Sequence, residues 1–250
     1  MRSSVNRIWT LTKRNTKEIL RDPLSLIFTI AMPLFMEILF YLIFHTQTSQ
    51  FEMKYLAPGI VVFSQAFFTL FIGLLIATDR STSFLTRLYV SKARSYEFIF
   101  SYGLSLLPVV LASSVLFFIV GGIFDTNLFC VGAVYAILLS LITSTFYLAC
   151  GILFGSLCNE KSIGGISSIV IAGQSVLSGM WFPVEGLNKG MVTFMKVLPF
   201  KNATMVIQNV VLGITDPFKD LILPLIIVLA YTVVLLAAAI LVYKSKMSSK

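Results

Sequence analysis

Charge is scarce in this chain of 250 residues: Asp, Glu, Lys and Arg together make up 12% of it, about half the share usual in a soluble domain. Histidine is almost missing, with His45 alone, and neither an H-E-x-x-H nor a G-x-S-x-G run occurs. The convergent polar groups that hydrolytic chemistry needs therefore have no obvious source, and catalysis on this chain is not expected. No G-x-x-x-x-G-K-[ST] occurs either, which excludes a P-loop nucleotide cradle. The three cysteines are an odd number, and Cys150 and Cys158 are eight residues apart on one expected helix, about 12 Å and too far to bridge. We read them as small packing residues, with no disulfide framework and no metal site. Fifteen glycines and eight prolines are too few for a fibrous chain.

What is abundant is apolar: 57% of the residues are hydrophobic, 22 are Phe, and mean hydropathy is +0.92. That composition describes an all-α integral membrane protein. The net charge of +8 would suggest nucleic acid on a soluble chain, but here the basic residues flank apolar runs, so lipid is the expected contact and nucleic acid is not. Runs free of charge place spans at about 56–78, 98–123, 128–157, 162–183 and 221–243, each long enough for a ~30 Å hydrocarbon core. A sixth, 24–44, is interrupted only by Glu37. Its 13 Leu, Ile and Phe residues favour insertion by about 4–8 kcal/mol, against ~2.5–3.5 for one buried acid. The reading is one membrane domain over 24–250 with six spans, preceded by a separate segment at 1–23.

Orientation follows from the basic residues. Alternate connecting segments carry 14 and 5 of the Lys and Arg, and the richer set faces the cytoplasm, so both termini are expected inside. The basic start is not followed by the short apolar core and small-residue site of a cleavable signal, and none is expected.

Between the spans, residues 2–22 mix Val5, Ile8, Trp9, Leu11, Ile19 and Leu20 with Arg7, Lys13, Arg14, Lys17 and Arg21. The pattern predicts an amphipathic helix along the membrane surface, ended or bent by Pro23. In the 79–97 segment Phe84, Leu85, Leu88 and Tyr89 form a short apolar stripe beside Arg87, which asks for a partner outside the bilayer. Two further short helices are predicted from Leu187 to Leu198 and from Val206 to Val211, bounded by Pro199 and Gly213 and packed at or partly into the outer membrane face. Asn202-Ala-Thr204 matches a glycosylation triplet, a weak signal. Gly132, Ala136, Ser140 and Ser144, followed by Gly151 and Gly155, form a small-residue stripe that serves either packing within the subunit or a dimer seam. Glu37 in its span is either a structural hydrogen-bonding group or part of a transport path.

Taken together, Arg21-Asp22-Pro23 before the first span, Tyr55-Leu-Ala-Pro-Gly-Ile60 opening the second, Asp79-Arg80 with Arg87-Leu88 after it, Leu177-Ser-Gly-Met-Trp-Phe-Pro183 closing the fifth, and Leu198-Pro199 resemble the permease subunit of a type-2 ATP-binding cassette (ABC) exporter. That class includes bacterial drug, antibiotic and polysaccharide exporters, and the resemblance covers nearly the whole chain. Ser81-Thr82-Ser83 and Lys92 depart from the family's usual Gly and Pro. The resemblance implies a cell-membrane half-transporter without a cofactor of its own. It would pair with a second permease, identical or not, and dock on a cytoplasmic ATPase that holds ATP and Mg. It further implies that Arg21, Asp22 and Pro23 close an elbow helix and that Phe84, Leu85, Arg87 and Leu88 form a coupling helix against the ATPase. Re-entrant helices would follow the fifth span. Glu37, Phe63, Phe67, Phe71 and Gln174 are the candidates for the substrate path. A transporter or channel running without ATP, or an accessory or immunity membrane protein, is the alternative reading. A neighbouring ATPase gene, or co-purification of an ATPase, would separate these.

Overall fold

Prolines, glycines and capping asparagines divide the chain into helices, as seen in a computed structural model that describes residues 4–82, 95–182 and 186–248. Among the described residues the order is α1 (Ser4–Leu20), α2 (Pro23–Phe44), α3 (Met53–Ser81), α4 (Ser95–Phe124), α5 (Val131–Leu157), α6 (Glu160–Leu177), α7 (Lys189–Val197), α8 (Pro199–Leu212) and α9 (Leu223–Ser248), with a π-turn at Phe218–Ile222 leading into α9. Pro23 opens α2 and Pro199 opens α8, positions where the missing N–H is not needed. Asn159 caps α6 by accepting from Ser162 N at 3.0 Å, and Asn188 caps α7 by accepting from Gly190 N at 2.9 Å. Gly213 ends α8 at φ 102, a conformation that a side chain would strain.

Among the described residues, five helices are long and apolar enough to cross a membrane: Leu26–Phe44, Met53–Ser81, Tyr96–Phe124, Val131–Leu157 and Phe218–Val242. The expected fifth span is not among them. α6 has 18 residues, starts with Glu160 and Lys161, and ends at Leu177 rather than near 183, so at 1.5 Å per residue it reaches about 27 Å. It nevertheless runs the length of the bundle. At one end Ser81 Oγ donates to Glu160 Oε1 at 2.7 Å, and just past the other Gln50 Nε2 donates to the Gly179 carbonyl at 2.7 Å. Six helices therefore traverse from one end, which carries α1, to the far end, which carries α7 and α8. Ala239 of α9 joins Ile19 of α1 in one apolar cluster, which puts both termini at the α1 end.

α3 is the central element: 78% of its apolar window is buried, against 17% for α2 and for α9. It packs against α2, α4, α5, α6 and α8. The small-residue stripe of α5 is spent on this packing. A Cβ on Gly151 would lie 1.9 Å from Ile72 Cγ2, one on Gly155 2.8 Å from the Gly73 carbonyl, and one on Gly132 2.4 Å from the Val210 carbonyl of α8. Polar groups then tie the same helices where lipid offers no hydrogen bonds. Gln65 Nε2 donates to Ser140 O at 3.1 Å, Thr143 Oγ1 to Gln65 Oε1 at 3.0 Å, and Thr69 Oγ1 to Tyr147 O at 3.0 Å.

The two outer helices form, and of the two placements expected α8 takes the inserted one. Its Ala203, Thr204, Val206 and Ile207 are buried against α3, α5 and α9. Asn202 donates to the Lys196 and Leu198 carbonyls at 2.8 and 2.6 Å, so its amide holds the α7–α8 corner instead of standing free for glycosylation. α1 also differs from a helix laid flat on the membrane. Its contacts climb α4 in the same direction, from Arg7 at Glu97 to Thr12 at the Ser101 carbonyl and Thr16 at the Ser105 carbonyl.

Candidate functional site

The chemistry of the α1 end begins with two acids that bracket the segment between α3 and α4. Asp79 stands in the last turn of α3 and is 3% exposed, and Glu97 stands in the first turn of α4 and is fully buried. A buried carboxylate needs a partner. Both find theirs on α1, where Arg7 and Arg14 are two turns apart and share a face. Arg14 donates to Asp79 Oδ2 and Oδ1 at 2.6 and 2.7 Å, and Tyr102 of α4 donates to Oδ2 at 2.6 Å. Arg7 donates from Nε and a terminal nitrogen to Glu97 at 3.0 and 2.7 Å, and the Ser4 hydroxyl donates to the same carboxylate. Two forked, charge-assisted pairs thus hold both stems of one segment to a single helix.

These pairs also set the local electrostatics. Burial works against the Arg14 charge, but the bond and charge of Asp79 outweigh it and its pKa lies above the usual value. The bond to Glu97 raises that of Arg7 in the same sense. Beside them Arg80 points the other way. One terminal nitrogen donates to the carbonyls of Gly155, Ser156 and Cys158 at 2.8, 2.7 and 3.0 Å, neutralising the partial negative charge at the C-terminus of α5. The α1, α3, α4, α5 and α6 ends are therefore linked around residues 83–94.

Those residues contain Phe84, Leu85, Arg87 and Leu88, which lie outside the described residues. Arg21, Asp22 and Pro23 are exposed and form the joint between α1 and α2. The path candidates are not brought to one surface. Phe63 and Phe71 are buried, at 6% and 5% exposure. Phe63 stands edge-on to Phe67 at 5.4 Å and to Trp181 at 5.8 Å, whereas Phe71 belongs to the apolar cluster nearer α1. Gln174 is fully buried, accepting from Tyr147 at 2.6 Å and donating to Thr204 at 3.0 Å. Glu37 is fully buried where α2 meets α3 and α4 near Gly121, and neither carboxyl oxygen has a hydrogen-bond partner among the described residues. Among the described residues, no group of three His, Cys, Asp or Glu comes close enough to hold a metal ion.

Sequence reading quoted Asp79 and Arg80 as landmarks but did not pair them, and it missed Arg7, Arg14, Glu97 and Tyr102 as a unit. The available signal was the two-turn repeat of Arg7 and Arg14 on α1, set against one acid on each side of the 83–94 segment. A family described as ABC-2 type transporter matches residues 6–212, from α1 to the end of α8. No curated protein matches the chain.

Proposed function

The chain belongs to the ABC-2 type transporter family, as a permease subunit, and on that premise we propose that it is the membrane half of an ATP-driven exporter moving an amphiphilic drug, antibiotic peptide or lipid-like molecule out of the cell. ATP and Mg are handled by a separate cytoplasmic ATPase. The α1 end faces that ATPase across the cell membrane, a reading supported by the 14-to-5 bias of Lys and Arg toward that side. Phe84, Leu85, Arg87 and Leu88 dock on the ATPase.

The observation that carries this reading is the anchorage of both flanks of residues 83–94, the end of α3 by Arg14–Asp79 and the start of α4 by Arg7–Glu97. A loop that only connects two spans needs no such brace. A segment that receives force does, because displacement must reach α3 and α4 instead of being absorbed locally. ATP binding favours one arrangement of the ATPase, and the braced segment biases the permease between two states by that differential free energy.

A second permease completes the path. The exposed residues of α6 are mostly small or polar, Gly164, Gly165, Ser168 and Ala172 beside Ile169 and Val176, whereas those of α2 and α9 include Phe28, Phe35, Val233 and Val234. Small residues at membrane depth favour a helix partner over lipid. Phe67, which is only partly buried, is the path residue this arrangement best accommodates.

The deciding experiment is Arg87→Glu in the tagged full-length chain in its native cell. Loss of ATPase co-purification and of export, with the permease level unchanged, is the expected result. Normal association and normal export in that variant would overturn the docking assignment.

A further inference from the structure

α1 turns a second face to its surroundings that the braces do not use. Val5, Trp9, Lys13, Lys17 and Arg21 follow one another at four-residue steps and are all exposed, Val5 at 72% and Trp9 at 59%. Beside this stripe lies an open groove of about 780 Å³, with α1 as one wall and Leu104 and Pro108 of α4 as the other. Four cations and one acid line it. Arg14 and the acid, Glu18, are 2.5 Å apart, and Arg14 also holds Asp79. Lys13, Lys17 and Arg21 form no ion pair with any described residue, and Lys13 Nζ stands 5.3 Å from the centroid of the Trp9 ring.

Like charges at four-residue spacing repel, and the one acid in the groove, Glu18, is engaged by Arg14, so the three remaining cations are best satisfied by an external anion. The opposite wall says what kind. α4 has 30 residues and α2 has 22, so α4 extends about 12 Å further and the start of α2 lies level with its third turn. Leu104 is 41% exposed at that level, and Pro108 lies one turn deeper. Pro108 also has no N–H to give the Leu104 carbonyl. The groove thus sets three cations and an amphipathic indole along its α1 wall and the apolar Leu104 and Pro108 along the facing α4 wall, at the level where Thr12 meets the Ser101 carbonyl and Thr16 the Ser105 carbonyl.

The geometry points to a binding site for one anionic phospholipid, with its phosphate among Lys13, Lys17 and Arg21 and an acyl chain along Leu104 and Pro108. Inorganic phosphate would meet the same cations but not the apolar wall. Because the other face of α1 holds Asp79 and Glu97, such a lipid would bear on the helix that braces the 83–94 segment.

Trp9 reports on the site directly, since the chain has two tryptophans and Trp181→Phe leaves one. In nanodiscs holding the full transporter, Trp9 should be quenched by brominated phosphatidylglycerol at lower mole fraction than by brominated phosphatidylcholine. Millimolar inorganic phosphate should leave that difference intact. Lys13→Gln, Lys17→Gln and Arg21→Gln should each weaken the preference about fivefold. Lys13→Arg with Lys17→Arg should keep it, which also shows that the helix tolerates change there. Equal quenching by the two lipids, an undiminished preference in the triple Gln variant, or abolition by inorganic phosphate would each overturn the lipid site.

Discussion

Single residues in this bundle differ most in what surrounds them. Glu37 is fully buried without a hydrogen-bond partner among the described residues, so its carboxyl contributes nothing that a neutral group of the same shape would lose. Glu37→Gln is therefore expected to leave the melting temperature unchanged or higher while lowering export. Export at the normal rate and protein level would remove Glu37 from the path. Glycines give a paired test. Gly151→Ala places a methyl 1.9 Å from Ile72 Cγ2 and 2.7 Å from the Thr69 carbonyl, and overpacking against backbone is expected to cost about 1–3 kcal/mol or more. Gly103 of α4 has nothing within 4 Å of the position a Cβ would take, so Gly103→Ala should be neutral or stabilising by up to ~1 kcal/mol. Thermal unfolding in detergent would read both. The contrast was only half legible beforehand: the spacing of the α5 stripe was visible, whereas its partners Thr69 and Ile72 lie some eighty residues earlier in the chain.

At the scale of elements, the brace between α1 and the ends of α3 and α4 makes the clearest forecast. Arg14→Gln leaves Asp79 buried with only Tyr102, and breaking a buried pair in this way costs ~3–5 kcal/mol. Arg14 is 29% exposed, so screening should bring the loss below that range. The double variant Arg14→Gln with Asp79→Asn should recover part of it, because no unpaired charge remains. If the double variant is as unstable as the sum of the two single changes, measured by unfolding midpoint, the pair is not a coupled unit. Helices α2, α4 and α5 coincide with the apolar runs of the sequence to within a few positions, because a long run of apolar residues specifies a helix even with one acid in it. The end of α6 does not, because hydropathy cannot see the chain fold back. Gly179 takes φ 74, and Trp181 returns to pack against Phe40, the rings tilted with centroids 4.6 Å apart, although residues 178–182 are as uncharged as the helix before them. The α1 brace was invisible for another reason: each acid and its arginine are 65 or 90 positions apart.

For the whole molecule, the exposed small face of α6 predicts where a second copy or sister chain sits. With Cys130, Cys150 and Cys158 replaced, Ser168→Cys should form a disulfide-linked dimer under mild oxidation, and Val234→Cys on the exposed face of α9 should not. Cross-linking at Val234 and none at Ser168 would move the seam away from α6. The brace has a further consequence at this scale. Since one short helix grips two crossings by separate carboxylates, α3 and α4 cannot be prised apart at that end. A push delivered between residues 82 and 95 would tilt them as a single lever, its long arm at the far end where Glu37, Ala57 and Gly121 converge.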